Sequence, residues 1–156
     1  MSDATTPPPG PTPTPAPDPA ATLPSVYPVL RYRDAPTALD FLAKAFGLTP
    51  TAVHEDGGKI VHAQMAWGTG VVMLGSSSEG GDELFDTGRT VLYLAVDDPD
   101  AHHDRAVAAG AEVVMGLTDQ PYGSREYAAL DPEGNLWCFG TYRPGPDDVA
   151  EPITSS

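Results

Sequence analysis

The sequence predicts an α+β fold built from two tandem copies of a β-α-β-β-β module, and three observations carry that prediction. A constant offset of 64 positions takes Leu30 to Leu94, Asp34 to Asp98, Asp40 to Asp104 and Gly70 to Gly134, so the chain repeats itself. Each copy opens with an alternating apolar stretch and then a helical apolar period, the order expected of a strand feeding a helix. Finally, "MSDATTPPPGPTPTPAPDPAATLPS" holds half of the chain's 18 prolines and almost nothing that could be buried, so the core must lie between the two ends.

The expected boundaries follow from those composition shifts: a proline-rich tail over 1–25, one domain over 26–143, and a second polar tail over 144–156. Within the domain, "VYPVLRYRD" reads as a strand, with Tyr27, Val29, Arg31 and Arg33 on one face and Leu30 and Tyr32 on the other. "APTALDFLAKAFG" then places Ala38, Phe41, Leu42 and Ala45 on one helical face, and Gly47 ends the helix. "KIVHAQMAW" and "GVVMLG" read as two further strands joined by a tight turn, completing module one at 26–76. Residues 77–88 are too polar and glycine-rich for a core and read as a linker that can rim a pocket. In module two, 89–143, "TVLYLAVDD" is a strand, "PDAHHDRAVAAG" a helix with proline in its first turn, and "AEVVMG", "SREYAAL" and "NLWCFGT" three more strands.

Charge bounds the partners. A formal charge of −14 and a pI near 4.3 repel nucleic acid and anionic membrane surfaces, leaving a neutral or cationic small molecule as the better-matched ligand. One cysteine makes no internal disulfide, and no apolar run approaches the length of a membrane span, so the expected location is the cytoplasm. A module of this size leaves an apolar half-shell uncovered, which pairing of two modules in the chain or across a dimer can cover, and the expected assembly is a homodimer whose pocket is completed by both chains or by both modules.

With the repeat established, the chain resembles the vicinal oxygen chelate superfamily, which includes glyoxalase I, extradiol dioxygenases and bleomycin-resistance proteins. "YPVLRYRDAPTALDFLAKAFGL" at 27–48 and "QPYGSREYAALDPEGNLWCF" at 120–139 carry the resemblance, and they look most like the bleomycin-resistance branch. The resemblance implies a cup-shaped mixed sheet with helices on its outer face and a ligand on the inner one. Carried over residue by residue, the metal-ligand positions of metal-using members fall on Tyr27, Leu74, Val91 and Cys138. Leucine and valine have no donor atoms, and a tyrosine with a lone thiol is far from the nitrogen and oxygen sets that hold catalytic divalent ions. No metal or other cofactor is therefore expected.

The cup then draws its ligand-facing residues from parity and from the resemblance. In module one, Tyr27 and Arg31 share a face, and His62 and Gln64 turn toward the cup because polar groups are costly against an apolar helix layer. In module two, Val91, Tyr93 and Cys138 face inward, while Trp137 and Phe139 pack against helices. The resemblance implies that Tyr122 stands where an aromatic stacks on the ligand, and it adds Arg125 and Tyr127 to the pocket, although "YGSRE" is one residue longer than the family's pattern. His102 and His103 read as a solvated helix face. The expected function is metal-free sequestration of an antibiotic-like or aromatic molecule at a dimer interface. The competing class is a glyoxalase-like lyase or isomerase, or a dioxygenase.

Overall fold

A computed structural model describes residues 10, 23–81 and 83–146, so most of both expected tails lies outside the described residues. Two four-stranded mixed sheets and two helices make an α+β fold of tandem βαβββ modules. In module one, β1 (Val29–Tyr32) leads into α1 (Ala35–Phe41), which continues as one π-helical turn (Leu42–Phe46). β2 (Thr49–Asp56), β3 (Lys59–Trp67) and β4 (Gly70–Ser76) follow as an antiparallel meander. The chain then returns to pair β4 in parallel with β1, giving the order β1-β4-β3-β2. Module two repeats this with β5 (Val91–Ala95), α2 (Pro99–Ala108), β6 (Glu112–Asp119), β7 (Arg125–Leu130) and β8 (Leu136–Gly140), in the order β5-β8-β7-β6.

Local chemistry starts and stops both helices. Asp34 caps α1, its Oδ1 accepting from Thr37 N at 3.2 Å, and Asp98 caps α2 by accepting from Ala101 N at 3.1 Å. Gly47 ends the first helix in the left-handed region at φ 80°, a conformation a side chain resists. Ala38, Leu42 and Ala45 of the apolar face read from the sequence are buried, Phe41 is only half-buried, and Phe46 joins the buried set.

β2 is a strand that the sequence pattern does not mark, and its burial explains why. Of its eight residues only Ala52 is even half-buried, so no alternating pattern marks it, and it exists because β3 offers it a ladder. In β3 the register jumps from His54↔His62 to Glu55↔Ile60, leaving Val61 as a bulge. Ile60 therefore takes the core position that unbroken alternation with Ala63 and Met65 would give to Val61, and Val61 is exposed.

One core serves both modules. Phe46 packs its ring against Trp137 at 5.6 Å and Phe139 at 4.9 Å, bringing module one's helix onto module two's sheet. Fully burying such a side chain contributes about 1.5–3 kcal/mol. Three polar seams reinforce the contact: Tyr32 Oη donates to Asp131 Oδ2 at 2.7 Å, the Glu133 carboxylate accepts from Arg33 N and Asp34 N at 2.7 and 2.9 Å, and Trp67 Nε1 donates to Ala95 O at 2.8 Å. The helix-bearing faces of the two sheets thus close on each other's module. Their opposite faces stay open, with Val29 52% and Val91 65% exposed.

Sheet register corrects one step of the repeat. Leu30 pairs with Leu74, and its counterpart Leu94 pairs with Phe139, so Leu74 corresponds to Phe139 and lies in the core. The counterpart of Cys138 is Met73, which pairs with Val29 as Cys138 pairs with Tyr93. Ala63 still matches Tyr127 at the original offset, so the added residue falls in the turn "DPEGN" between β7 and β8.

Candidate ligand-binding site

The open face of module two gathers the chemistry. Cys138 on β8 stands between Tyr93 on β5 and Ala128 on β7, and Glu126 on β7 stands opposite Gly140 on β8. Side chains directly opposite across a ladder share a face, so Tyr93, Glu126, Ala128, Cys138 and Gly140 belong to one surface. A Cβ at Gly140 would lie 2.6 Å from Glu126 Cγ, 2.7 Å from Tyr93 Oη and 3.1 Å from Ser124 Oγ, so only glycine lets these three groups converge.

The turn Gln120–Gly123 brings an aromatic over this surface. Gly123 N donates to Gln120 O at 3.0 Å, closing the turn around Pro121 and Tyr122. Tyr122 is 60% exposed, yet its hydroxyl donates to Glu126 Oε1 at 2.7 Å, and its ring meets Tyr142 edge-on at 6.1 Å. Tyr93 Oη donates to Tyr142 O at 2.7 Å, and Ser124 Oγ accepts from Tyr142 N at 3.1 Å.

Electrostatics on this face run in one direction. The hydrogen bond to Glu126, then burial, push the Tyr122 phenol up to about 12. Burial, then the Glu126 charge, raise the Cys138 thiol above its ordinary value, so it is protonated at neutral pH and behaves as a small apolar group. Tyr93 is also raised, chiefly by burial.

Two residues expected in the pocket lie on the other face. Tyr127 is fully buried, pairs with Phe139, stacks on it at 5.2 Å and bonds His102 Nδ1 through its hydroxyl. Arg125 shares Tyr127's parity and grips Asp100 on α2 with Nε and Nη2 at 3.0 and 2.8 Å, and Asp119 with Nη1 at 3.1 Å. The two carboxylates raise its already high pKa further. The physical reason is strand parity: the repeat maps Tyr127 onto helix-facing Ala63 and Glu126 onto His62. His102 departs from the solvated reading in the same way, because it sits between modules with Nε2 against Phe46 O at 2.7 Å.

Module one presents a separate open face. Met73 pairs with both Gln64 and Val29, which puts Gln64 on the side of Arg31. Gln64 Nε2 lies 3.2 Å from His62 Nε2, and the His62 ring stacks on His54 at 6.4 Å. Arg31 donates from Nη1 to Ser76 O at 3.2 Å, and its guanidinium lies 5.6 Å from the Phe85 ring of the linker. Asp86 folds that linker back by accepting from Ser78 N at 3.2 Å and Glu83 N at 3.3 Å. Tyr27 precedes β1 and is partly exposed. Within one chain, the residues named for module one and those named for module two lie on two different sheets.

The donor set does not fit a catalytic metal. With register corrected, the four positions are Tyr27, Met73, Val91 and Cys138: a phenol, a thioether, a hydrocarbon and a protonated thiol. Among the described residues, no group of three or more His, Cys, Asp or Glu is arranged to hold an ion.

Duplicated βαβββ modules, each with one sheet face covered and the other open, define the class of protein. Residues 25–139 match the sequence pattern described as the Glyoxalase/Bleomycin resistance protein/Dioxygenase superfamily, and the chain belongs to that superfamily. It is similar to an uncharacterised protein of Mycobacterium bovis, 37% identical over 125 residues that cover 75% of this chain and 82% of the relative. Among solved structures it is similar to TioX from Micromonospora sp. ML1, with 34% identity, a TM-score of 0.64, and coverage of 74% of this chain and 95% of TioX. A glyoxalase/bleomycin resistance protein from Streptomyces sp. CB03234 shares the fold at 22% identity and a TM-score of 0.57, over 72% of this chain and 96% of that one.

Proposed function

We propose that the protein is a metal-free binding protein of the bleomycin-resistance type, acting in the cytoplasm as a homodimer that sequesters an antibiotic-like or aromatic small molecule without altering it. The observation that carries this reading is the open face of module two, where Tyr93, Tyr122 and Tyr142 stand partly exposed around Cys138 and Glu126. Aromatic side chains left at a surface with few fixed partners are what a planar ligand stacks on. The thiol is protonated and the four metal positions, one of them a valine, do not make a donor set for a catalytic ion, so the face offers binding groups and no activated nucleophile.

Dimerisation supplies the second wall. Each chain leaves two open faces with apolar residues, Val29 on one and Val91 on the other, and a second copy can cover each with the unlike face. Tyr27, Arg31, His62 and Gln64 of one protomer then meet Tyr93, Tyr122 and Cys138 of its partner. Among the described residues no helix is long and apolar enough to cross a membrane.

A thermal-shift screen of aromatic antibiotics, run beside metal analysis of the purified protein, tests the reading. Any ligand that binds only the folded state raises the melting temperature. A stabilising compound recovered unchanged after incubation is the expected result. One tightly held equivalent of a divalent metal, or turnover of the compound, would replace sequestration with the lyase or dioxygenase reading.

A further inference from the structure

Glu126 is the least expected group on the open face. It is 8% exposed, and its Oε1 accepts from the Tyr122 hydroxyl at 2.7 Å. Among the described residues no ion pair reaches it. The nearby cations are committed elsewhere, Arg125 to Asp100 and Asp119 across the sheet and Arg143 to Asp97 at 3.0 Å. A buried carboxylate without a positive partner carries a desolvation cost that an incoming cation offsets. Around it stand three phenol rings: Tyr122 and Tyr142, nearly perpendicular with an interplanar angle of 73°, and Tyr93, whose hydroxyl approaches the same Gly140 floor. Aromatic faces beside an acidic group form the surroundings in which alkylammonium and aromatic cations are held.

Resting on the binding-protein reading, we propose that this face selects an organic cation, a protonated amine or an alkylated ring nitrogen, with its charge against Glu126 and its flat body against Tyr122 and Tyr142. The Tyr122 hydroxyl occupies Oε1 in the free protein, and because it sits on an exposed turn it can yield that oxygen to the ligand. A phenol bond between two groups on one short segment constrains the turn little, whereas the carboxylate is fixed within β7.

Three probes of nearly equal shape decide the question: N-methylquinolinium, quinoline above its own pKa, and 2-naphthoate, titrated by fluorescence against the full chain. N-methylquinolinium should bind tightest, weaken with added salt, and lose about tenfold or more in affinity in Glu126→Gln, with quinoline unaffected by that substitution. Tyr122→Phe keeps the ring and uncaps the carboxylate, so it should bind the cation at least as tightly as the native chain. This variant also guards against a Glu126→Gln chain that fails to fold, as does the ranking of the three probes on the native protein. Quinoline or naphthoate binding as tightly as the cation, or a loss in Tyr122→Phe equal to that in Glu126→Gln, would overturn the cation assignment and leave the binding-protein reading standing. Failure of all three probes to bind would likewise overturn the cation assignment, while the binding-protein reading stands or falls on the thermal-shift screen.

Discussion

Asp131 shows how much one side chain can hold. Its Oδ2 accepts from Tyr32 Oη, Trp137 Nε1 and Asn135 Nδ2, and its Oδ1 from the backbone of Glu133 and Asn135, at distances between 2.7 and 3.0 Å. Removing it strands three side-chain donors in a buried core shared by both modules, so Asp131→Ala should cost about 3–5 kcal/mol in denaturant unfolding. Trp137→Ala should cost a similar ~3–5 kcal/mol, because a fully buried indole leaves a cavity and takes one of three side-chain donors from Asp131 Oδ2. Tyr122→Ala belongs to the opposite category. Its ring is exposed on a turn, so the melting temperature should hold while affinity for a stacking ligand falls several-fold. If Trp137→Ala instead lost binding at an unchanged melting temperature, the assignment of sheet faces would be wrong.

Among elements, α2 is the one that ties the modules together and carries a pH signature. Its His102 is lowered below the ordinary histidine value, mainly by burial, with the Phe46 O bond opposing the shift and Arg105 adding to it. Phe46 O can only accept, so Nε2 carries the proton and neutral Nδ1 accepts from Tyr127 Oη. The folded state therefore binds its proton less readily than the unfolded chain. Stability from this site is complete above about pH 6.5, the unfolded value, and is lost as pH falls from there toward the lower folded value. Melting temperature followed from about pH 8 to about pH 5 should fall across that window in the native chain and fall less in His102→Gln. Asp100 on the same helix is lowered, first by its Arg125 hydrogen bond, so its contribution is lost only in the more acidic range where carboxylates protonate. Arg125→Ala should leave ligand affinity unchanged, because its fork faces α2 and β6; a large loss of affinity would return Arg125 to the pocket.

At the scale of the whole molecule, the prediction concerns association. Two open faces per chain, each with exposed valine, should make the protein a dimer at micromolar concentration in sedimentation equilibrium, and Val91→Glu should shift it toward monomer by placing a charge in the joint. A native chain that stays monomeric would contradict this and the shared cup with it. Much of this architecture is written locally. The 64-residue repeat, the Asp caps, the Gly47 stop and the apolar faces of β1, α1 and β8 depend on neighbours a few residues away, so periodicity exposes them. Glu126 is legible by the same means, since the repeat matches it to His62. What local pattern could not supply was the strand β2, whose residues bury almost nothing, and the bulge at Val61, which is a matter of register between two strands. Nor could it supply the partner of each sheet's buried face. Sequence determined the modules, their covered faces and the lack of donors at Val91, because those are properties of a residue and its near neighbours. Only the tertiary structure decided that Met73 rather than Leu74 answers to Cys138, that Arg125 and Tyr127 turn away from the open face of module two, and that Phe46 brings module one's helix onto module two's sheet. Each of those depends on register between segments far apart in the chain, where one residue in a turn reverses which way every later side chain points.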